Sequence, residues 1–165
     1  LIAGMVPGLG IQLWSLPSGR LHSTLRGETA NAMALDETGG MLAFGDAGLR
    51  VWQIGSNRPA SMVTRLPGRL EAVTMQPRGA CIFTADSSGE IGVYDRQGKR
   101  HVRMVMYGDD QWLAFSDTGA FAGSPEGLAH LRLIAGREIL TPDQVRGLGN
   151  PGALWSDVRK VCAGE

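Results

Sequence analysis

Four short segments of this sequence recur at nearly constant spacing, and that period constrains the fold more than any other feature. Gly10-Ile11-Gln12-Leu13-Trp14, Gly48-Leu49-Arg50-Val51-Trp52, Glu90-Ile91-Gly92-Val93-Tyr94 and His130-Leu131-Arg132-Leu133-Ile134 end at positions 14, 52, 94 and 134, in steps of 38, 42 and 40 residues. Upstream of the last three lies a turn carrying glycine: Asp36 to Gly40, Gln76 to Gly79 and Ser116 to Gly119. Gly40, Gly79 and Gly119 keep the same period. A second turn precedes each anchor segment: Asp46-Ala47-Gly48, Asp86-Ser87-Ser88-Gly89 and Ser124-Pro125-Glu126-Gly127. Three markers on one period mean a repeated unit that buries its apolar face against its neighbours.

Between the turns the residues read as short strands: Ala32 to Leu35, Met41 to Phe44, Leu49 to Ile54, Ser61 to Arg65, Ala72 to Met75, Cys81 to Thr84, Ile91 to Tyr94 and Val102 to Met106. Strands of this length joined by Gly, Asp, Ser and Pro turns form antiparallel meanders, because Gly and Asp reach the left-handed conformations that tight hairpins need. The 24 glycines in 165 residues are about twice the usual share, and much of that excess is positional, Gly40, Gly79 and Gly119 marking one turn and Gly48, Gly89 and Gly127 another. The predicted class is all-β. A period of about 40 residues with four strands per unit is the pattern of β-propeller blades.

The anchor segments carry a resemblance to a known family. Ile11-Gln12-Leu13-Trp14-Ser15-Leu16-Pro17-Ser18-Gly19-Arg20 resembles the third strand and following turn of a WD40 repeat, and Leu49-Arg50-Val51-Trp52 and Val93-Tyr94-Asp95 repeat it. The repeats are degenerate. The Gly-His pair that opens a WD40 repeat is replaced by Gly27-Glu28 and Gly68-Arg69, so the family's His-Ser/Thr-Asp-Trp tetrad is missing. Asp46 and Asp86 keep the turn aspartate, whose expected work is local capping of backbone N–H groups. Trp14, Trp52 and Tyr94 are expected as knobs between adjacent sheets. The expected blades lie near 1–27, 28–67, 68–107 and 108–140.

Residues 141–165 are expected to form a helical extension. Thr141-Pro142-Asp143-Gln144 has an N-cap, a proline at the first helical position and capping-box spacing, with Gly147 as the stop. Leu154, Val158, Val161 and Cys162 then form one apolar stripe on a terminal helix that must dock. Trp112 and Trp155 are candidates for packing this segment, or another chain, onto the last blade. The stretch Trp112 to Gly127, with Leu131-Arg132-Leu133 and the Pro142 helix, resembles the closing part of the WD40 region in bacterial proteins that join such repeats to a caspase-like peptidase domain. The resemblance implies that the peptidase lies outside this segment. Resemblance to bacterial WD40 proteins as a class carries the expectation of a cytoplasmic protein.

No motif in the chain carries chemistry of its own. Two cysteines are too few for a disulfide scaffold, and with His22, His101 and His130 they make no zinc pattern. Cys81, on a strand among apolar neighbours, and Cys162, on the helix stripe, both read as buried inert thiols. Gly147 to Gly152 spells G-x-G-x-x-G, but it follows a helix and contains a proline, so it reads as a loop. Sixteen basic residues balance sixteen acidic ones, which leaves no global field for nucleic acid or an acidic membrane. The one basic cluster, Arg96, Lys99, Arg100 and Arg103, reads mainly as a solvated hairpin, with contact to an acidic protein as the functional alternative. No apolar run reaches the ~20 residues of a bilayer span.

The expectation is therefore the C-terminal portion of a WD40-like propeller: a non-catalytic protein-interaction scaffold with no cofactor and no metal. Its partners would be protein subunits or the rest of a longer polypeptide. The opening Leu1-Ile2-Ala3-Gly4-Met5 lacks an initiator methionine, so the true N-terminus is expected to lie upstream. Two alternatives stay open: a regulatory module of a caspase-like peptidase, and an enzyme with its site in the propeller channel.

Overall fold

The computed structural model describes residues 1–56, 61–77 and 80–163. Three antiparallel sheets follow one another along the chain. The first is β1 (Ile2–Val6), β2 (Gly10–Trp14) and β3 (Leu21–Arg26), in that spatial order. The second is β4 (Ala32–Leu35), β5 (Met41–Gly45), β6 (Gly48–Gln53) and β7 (Ser61–Arg65), again in chain order. The third begins with β8 (Leu70–Met75), β9 (Cys81–Asp86), β10 (Glu90–Asp95) and β11 (Arg100–Met106), and continues with β12 (Trp112–Ser116) and β13 (Phe121–Gly123) as a six-stranded sheet.

The sheets pack face to face, and period-2 alternation decides which residues meet. Ile11 and Leu13 of β2 face Leu42, Phe44 and Trp52 of the second sheet. On that sheet's other face, Met41, Ala43, Leu49 and Val51 meet Ile82 and Tyr94 of the third. The anchor strands β2 and β6 thus send their aliphatic residues toward the following sheet, and β6 and β10 send their terminal aromatic toward the preceding one. Trp52 and Tyr94 are buried in this way, and Tyr94 is fully inaccessible. Trp14 occupies the same register on the first sheet, pairs across the ladder with Ile2 and Leu21, and is only half-buried. Ile2 and Leu21 are 51% and 54% exposed, so this face stands open.

The fourth period takes a different form from a fourth blade. β12 pairs with β11, Val102 opposite Ser116 and Met106 opposite Trp112, so it extends the third sheet outward. Ser124-Pro125-Glu126-Gly127 is no turn before a strand: Ser124 caps the short helix α1 (Pro125–Ala129), its hydroxyl accepting from Gly127 N. The expected anchor strand at 130–134 gives way to the C-cap His130, irregular backbone, and a two-residue pair β14 (Ile134–Ala135) and β15 (Glu138–Ile139). Helix α2 (Pro142–Leu148) starts on the full capping box of Thr141 and Gln144 and runs one residue past Gly147. Helix α3 (Pro151–Ala163) buries Leu154 and Val161.

The reason for the difference is where α3 lies. With Val158 and Cys162 beside them, Leu154 and Val161 pack on Cys81, Val93, Val102, Ala114 and Ala122. That is the face of the third sheet opposite Ile82 and Tyr94. The helix therefore fills the place that the following sheet takes on the first two. The outer strands are covered on their other face by α1 and α2, through Leu113, Phe121, Leu128 and Val145.

Contrary to expectation, Cys81 and Cys162 are not separate thiols: they form a disulfide across 81 residues, with Cα atoms 4.7 Å apart. In the first glycine turn the left-handed residue is Gly39 (φ 70°), and in the third it is Gly119 (φ 87°). Gly40 donates its N–H to Asp36 Oδ1 at 2.7 Å. Gly79 lies outside the described residues.

Candidate interaction edge

Antiparallel meanders place alternate connections at opposite ends of the sheets. One end gathers the β3–β4 connection (27–31), the β5–β6 turn (46–47) and the β7–β8 connection (66–69). These loops are cross-braced. Asn31 Nδ2 donates to Leu70 O at 2.7 Å, Asn31 N to Gly45 O at 2.8 Å, and Leu70 N to Asp46 O at 2.7 Å. A side chain at Gly48 would drive its Cβ to 2.6 Å from Thr64 O, so only glycine lets β6 and β7 close here.

The braced loops frame a cavity of about 360 Å³ lined by Glu28, Thr29, Asp46, Gly48, Arg50 and Arg65. On one wall Arg50 Nη1 pairs with Glu28 Oε1 at 3.1 Å, both side chains partly buried. The residue that stands where the family has its histidine thus ties the loop to β6 by charge. Asp46 and Arg65 are exposed, and their charged groups have no hydrogen bond or ion pair among the described residues. Asp46 does not cap its turn. Asp86 does: its Oδ1 accepts from Ser88 N at 2.8 Å and Glu90 N at 3.3 Å, and Oδ2 from Gly68 N at 3.4 Å.

The basic cluster read from sequence is largely consumed within the chain. Arg96 Nη2 reaches Asp36 Oδ2 of the second sheet at 3.1 Å. Arg100 and Arg103 both grip Glu90, Nη1 to Oε1 and Nε to Oε2, each at 3.0 Å. Glu90 is buried, so desolvation of its charge is offset by two guanidinium groups. The two arginines also line a cavity of about 300 Å³ with Phe115, Ser116 and Asp117. Only the Lys99 ammonium lacks a partner among the described residues; its backbone N–H caps Asp95 Oδ1 at 2.9 Å.

Beside that hairpin, His101 Nε2 lies 2.9 Å from Asp95 Oδ2. Burial pushes the Asp95 carboxyl up, but the bonds from His101 and Lys99 outweigh it and leave the pKa below 3.8. Thr118 Oγ1 donates to Asp157 Oδ2 at 2.6 Å, and hydroxyls of Thr118 and Ser116 hold that carboxyl below 3.8 as well. Tyr94 Oη is buried and makes no well-formed hydrogen bond among the described residues; burial raises its pKa, against the smaller pull of nearby Thr84 and Arg100. Among the described residues no group of three or more His, Cys, Asp or Glu could hold a metal ion. Trp112 packs against the core under α3, whereas Trp155 is 43% exposed.

What this edge can do chemically is present fixed charges of both signs in a concave frame. That suits recognition of polar or charged protein side chains. Asp46 and Arg65 emerged only from the structure, since neither stands out among 32 charged residues in the sequence.

No family model matches the chain, and a search of curated proteins returns no match. Solved structures do resemble it. The structure of U3-55K superimposes with a TM-score of 0.57 at 12% identity, covering 73% of this chain and 47% of that one. The crystal structure of the RRP9 WD40 repeats gives 0.52 at 13% identity, covering 73% and 46%. This chain thus spans about half the length of those it resembles. At such identity the likeness establishes the fold, and the fold is that of WD40-like propeller blades.

Proposed function

We propose that this chain is a non-catalytic protein-interaction scaffold, an arc of WD40-like blades that meets its partner through the edge carrying Glu28, Asp46, Arg50 and Arg65. The observation that carries this reading is the pair of exposed charges, Asp46 and Arg65, that line a braced cavity without a partner among the described residues, beside an ion pair already held in place. Such a site gives orientation and specificity at little conformational cost on binding. The open face of the first sheet, with Trp14, Ile2 and Leu21, supports a further element of the reading: the arc is one part of a larger assembly or polypeptide. From the resemblance of residues 112–127, that larger protein is a bacterial, cytoplasmic one in which the arc regulates a caspase-like peptidase domain.

The test is affinity capture with the wild type and with Arg65→Glu and Asp46→Lys, each confirmed folded by circular dichroism. The reading expects at least one protein retained by the wild type and lost from both variants. An identical set of captured proteins on all three would overturn it.

A further inference from the structure

The Cys81–Cys162 disulfide lies on the opposite side of the third sheet from the second one, away from the proposed edge, and it joins two elements of unequal footing. Cys81 opens β9 within a six-stranded ladder. Cys162 sits in the last turn of α3, a 13-residue helix. A helix of that length is marginal alone in water, so α3 depends on what holds it to the sheet.

Its attachments are few. At the near end Asn150 N donates to Phe121 O at 2.9 Å. Midway, Asp157 accepts from Thr118 at 2.6 Å, an exposed bond. Leu154 and Val161 are its only buried side chains among the described residues. At the far end, beyond the covalent bond and the packing of Val161, the one backbone hydrogen bond to the sheet side among the described residues is long, Ala80 N to Cys162 O at 3.4 Å. We propose that α3 is a redox-latched cover: the disulfide holds it on the third sheet, and reduction lets it leave while the sheets stay folded.

The chemistry at the sulfurs fits a reducible latch. Cys81 is 1% exposed, whereas Cys162 is half-buried, so an external thiol reaches Cys162 Sγ first. Its thiolate bonds to that sulfur and the S–S bond breaks, with the electron pair leaving on Cys81, which takes a proton from water. A second thiol then resolves the mixed disulfide and frees Cys162. In total two small thiols are oxidised to a disulfide and the protein disulfide is reduced to two thiols. Gln76 Oε1 lies 3.2 Å from Cys81 Sγ. The oxidised sulfur has no hydrogen to give it, but the reduced Cys81 S–H does, so the reduced state gains a bond on the sheet side. What release uncovers is Cys81, Val93 and Val102, in the register that seats the following sheet elsewhere in the molecule.

Hydrogen exchange read by mass spectrometry on the full chain, before and after dithiothreitol, tests the latch. The expected result is a rise of roughly tenfold or more in the exchange rate of the 151–163 amides on reduction, with β5, β6, β9 and β10 still protected. Cys162→Ser should behave like the reduced wild type without reductant and ignore its addition. Unchanged α3 protection after reduction would overturn the proposal. So would loss of protection in the sheets together with α3, which would make the bond a staple of the whole fold. So would free thiols at both cysteines after incubation with oxidised glutathione.

Discussion

Single polar groups decide how well the turns of this molecule hold. Asp86 satisfies three backbone N–H groups from a buried position, so Asp86→Ala leaves them without a partner and is expected to cost roughly 1–3 kcal/mol, read by chemical denaturation. Tyr94 is the reverse case. Among the described residues its buried hydroxyl makes no well-formed hydrogen bond, and the ring rather than the oxygen fills the space between sheets, so Tyr94→Phe should leave stability unchanged or raise it by up to about 1 kcal/mol. Asp95 and Asp157 link stability to pH. Both are held below 3.8 in the folded chain, so the stability they add is present above that value and is lost as pH falls through their lower folded values. Asp157→Asn should therefore flatten the acid limb of the unfolding profile below about pH 4. The sequence marked Asp86 by its place before Ser-Ser-Gly, and the aromatic register by its period. It could not mark Asp46 and Arg65, because an unpaired charge is defined by what fails to reach it in space.

Elements were legible where their signals are local. The strands from Ala32 to Met106 follow alternation bounded by turns, and their ends move by no more than two residues between expectation and structure. Helix α2 announces itself through Thr141, Pro142 and Gln144. Removing the cap with Thr141→Ala should cost about 1 kcal/mol. The fourth period departs from the other three for a reason that is not local. The connection at 107–111 has the same length as that at 27–31, and each has a left-handed glycine, Gly108 (φ 101°) and Gly27 (φ 72°). One leads to a new sheet and the other to β12 beside β11. The difference is made by α3, more than 40 residues downstream, which occupies the face a new sheet would need. The disulfide escaped notice for the same reason: two cysteines 81 residues apart give no pairing signal until the helix is docked. Leu154 carries that docking, being fully buried, so Leu154→Ala is expected to destabilise the oxidised protein by about 2–5 kcal/mol.

At the scale of the whole molecule the two ends of the arc differ. The third sheet is finished on its far side by α3, whereas the first sheet presents Trp14 and Ile2 at the register where Trp52 and Leu42, and Tyr94 and Ile82, are buried in the other sheets. The chain spans about half the length of the solved chains it resembles. At the loop edge, Glu28, Asp46, Arg50 and Arg65 line a cavity framed by braced connections. This account depends above all on α3 standing in for a further blade. Methyl NOE measurements on the oxidised chain test it most directly: contacts from Leu154 and Val161 to Val93 and Val102 are predicted. Absence of those contacts, with the β9–β10 ladder intact, would contradict it.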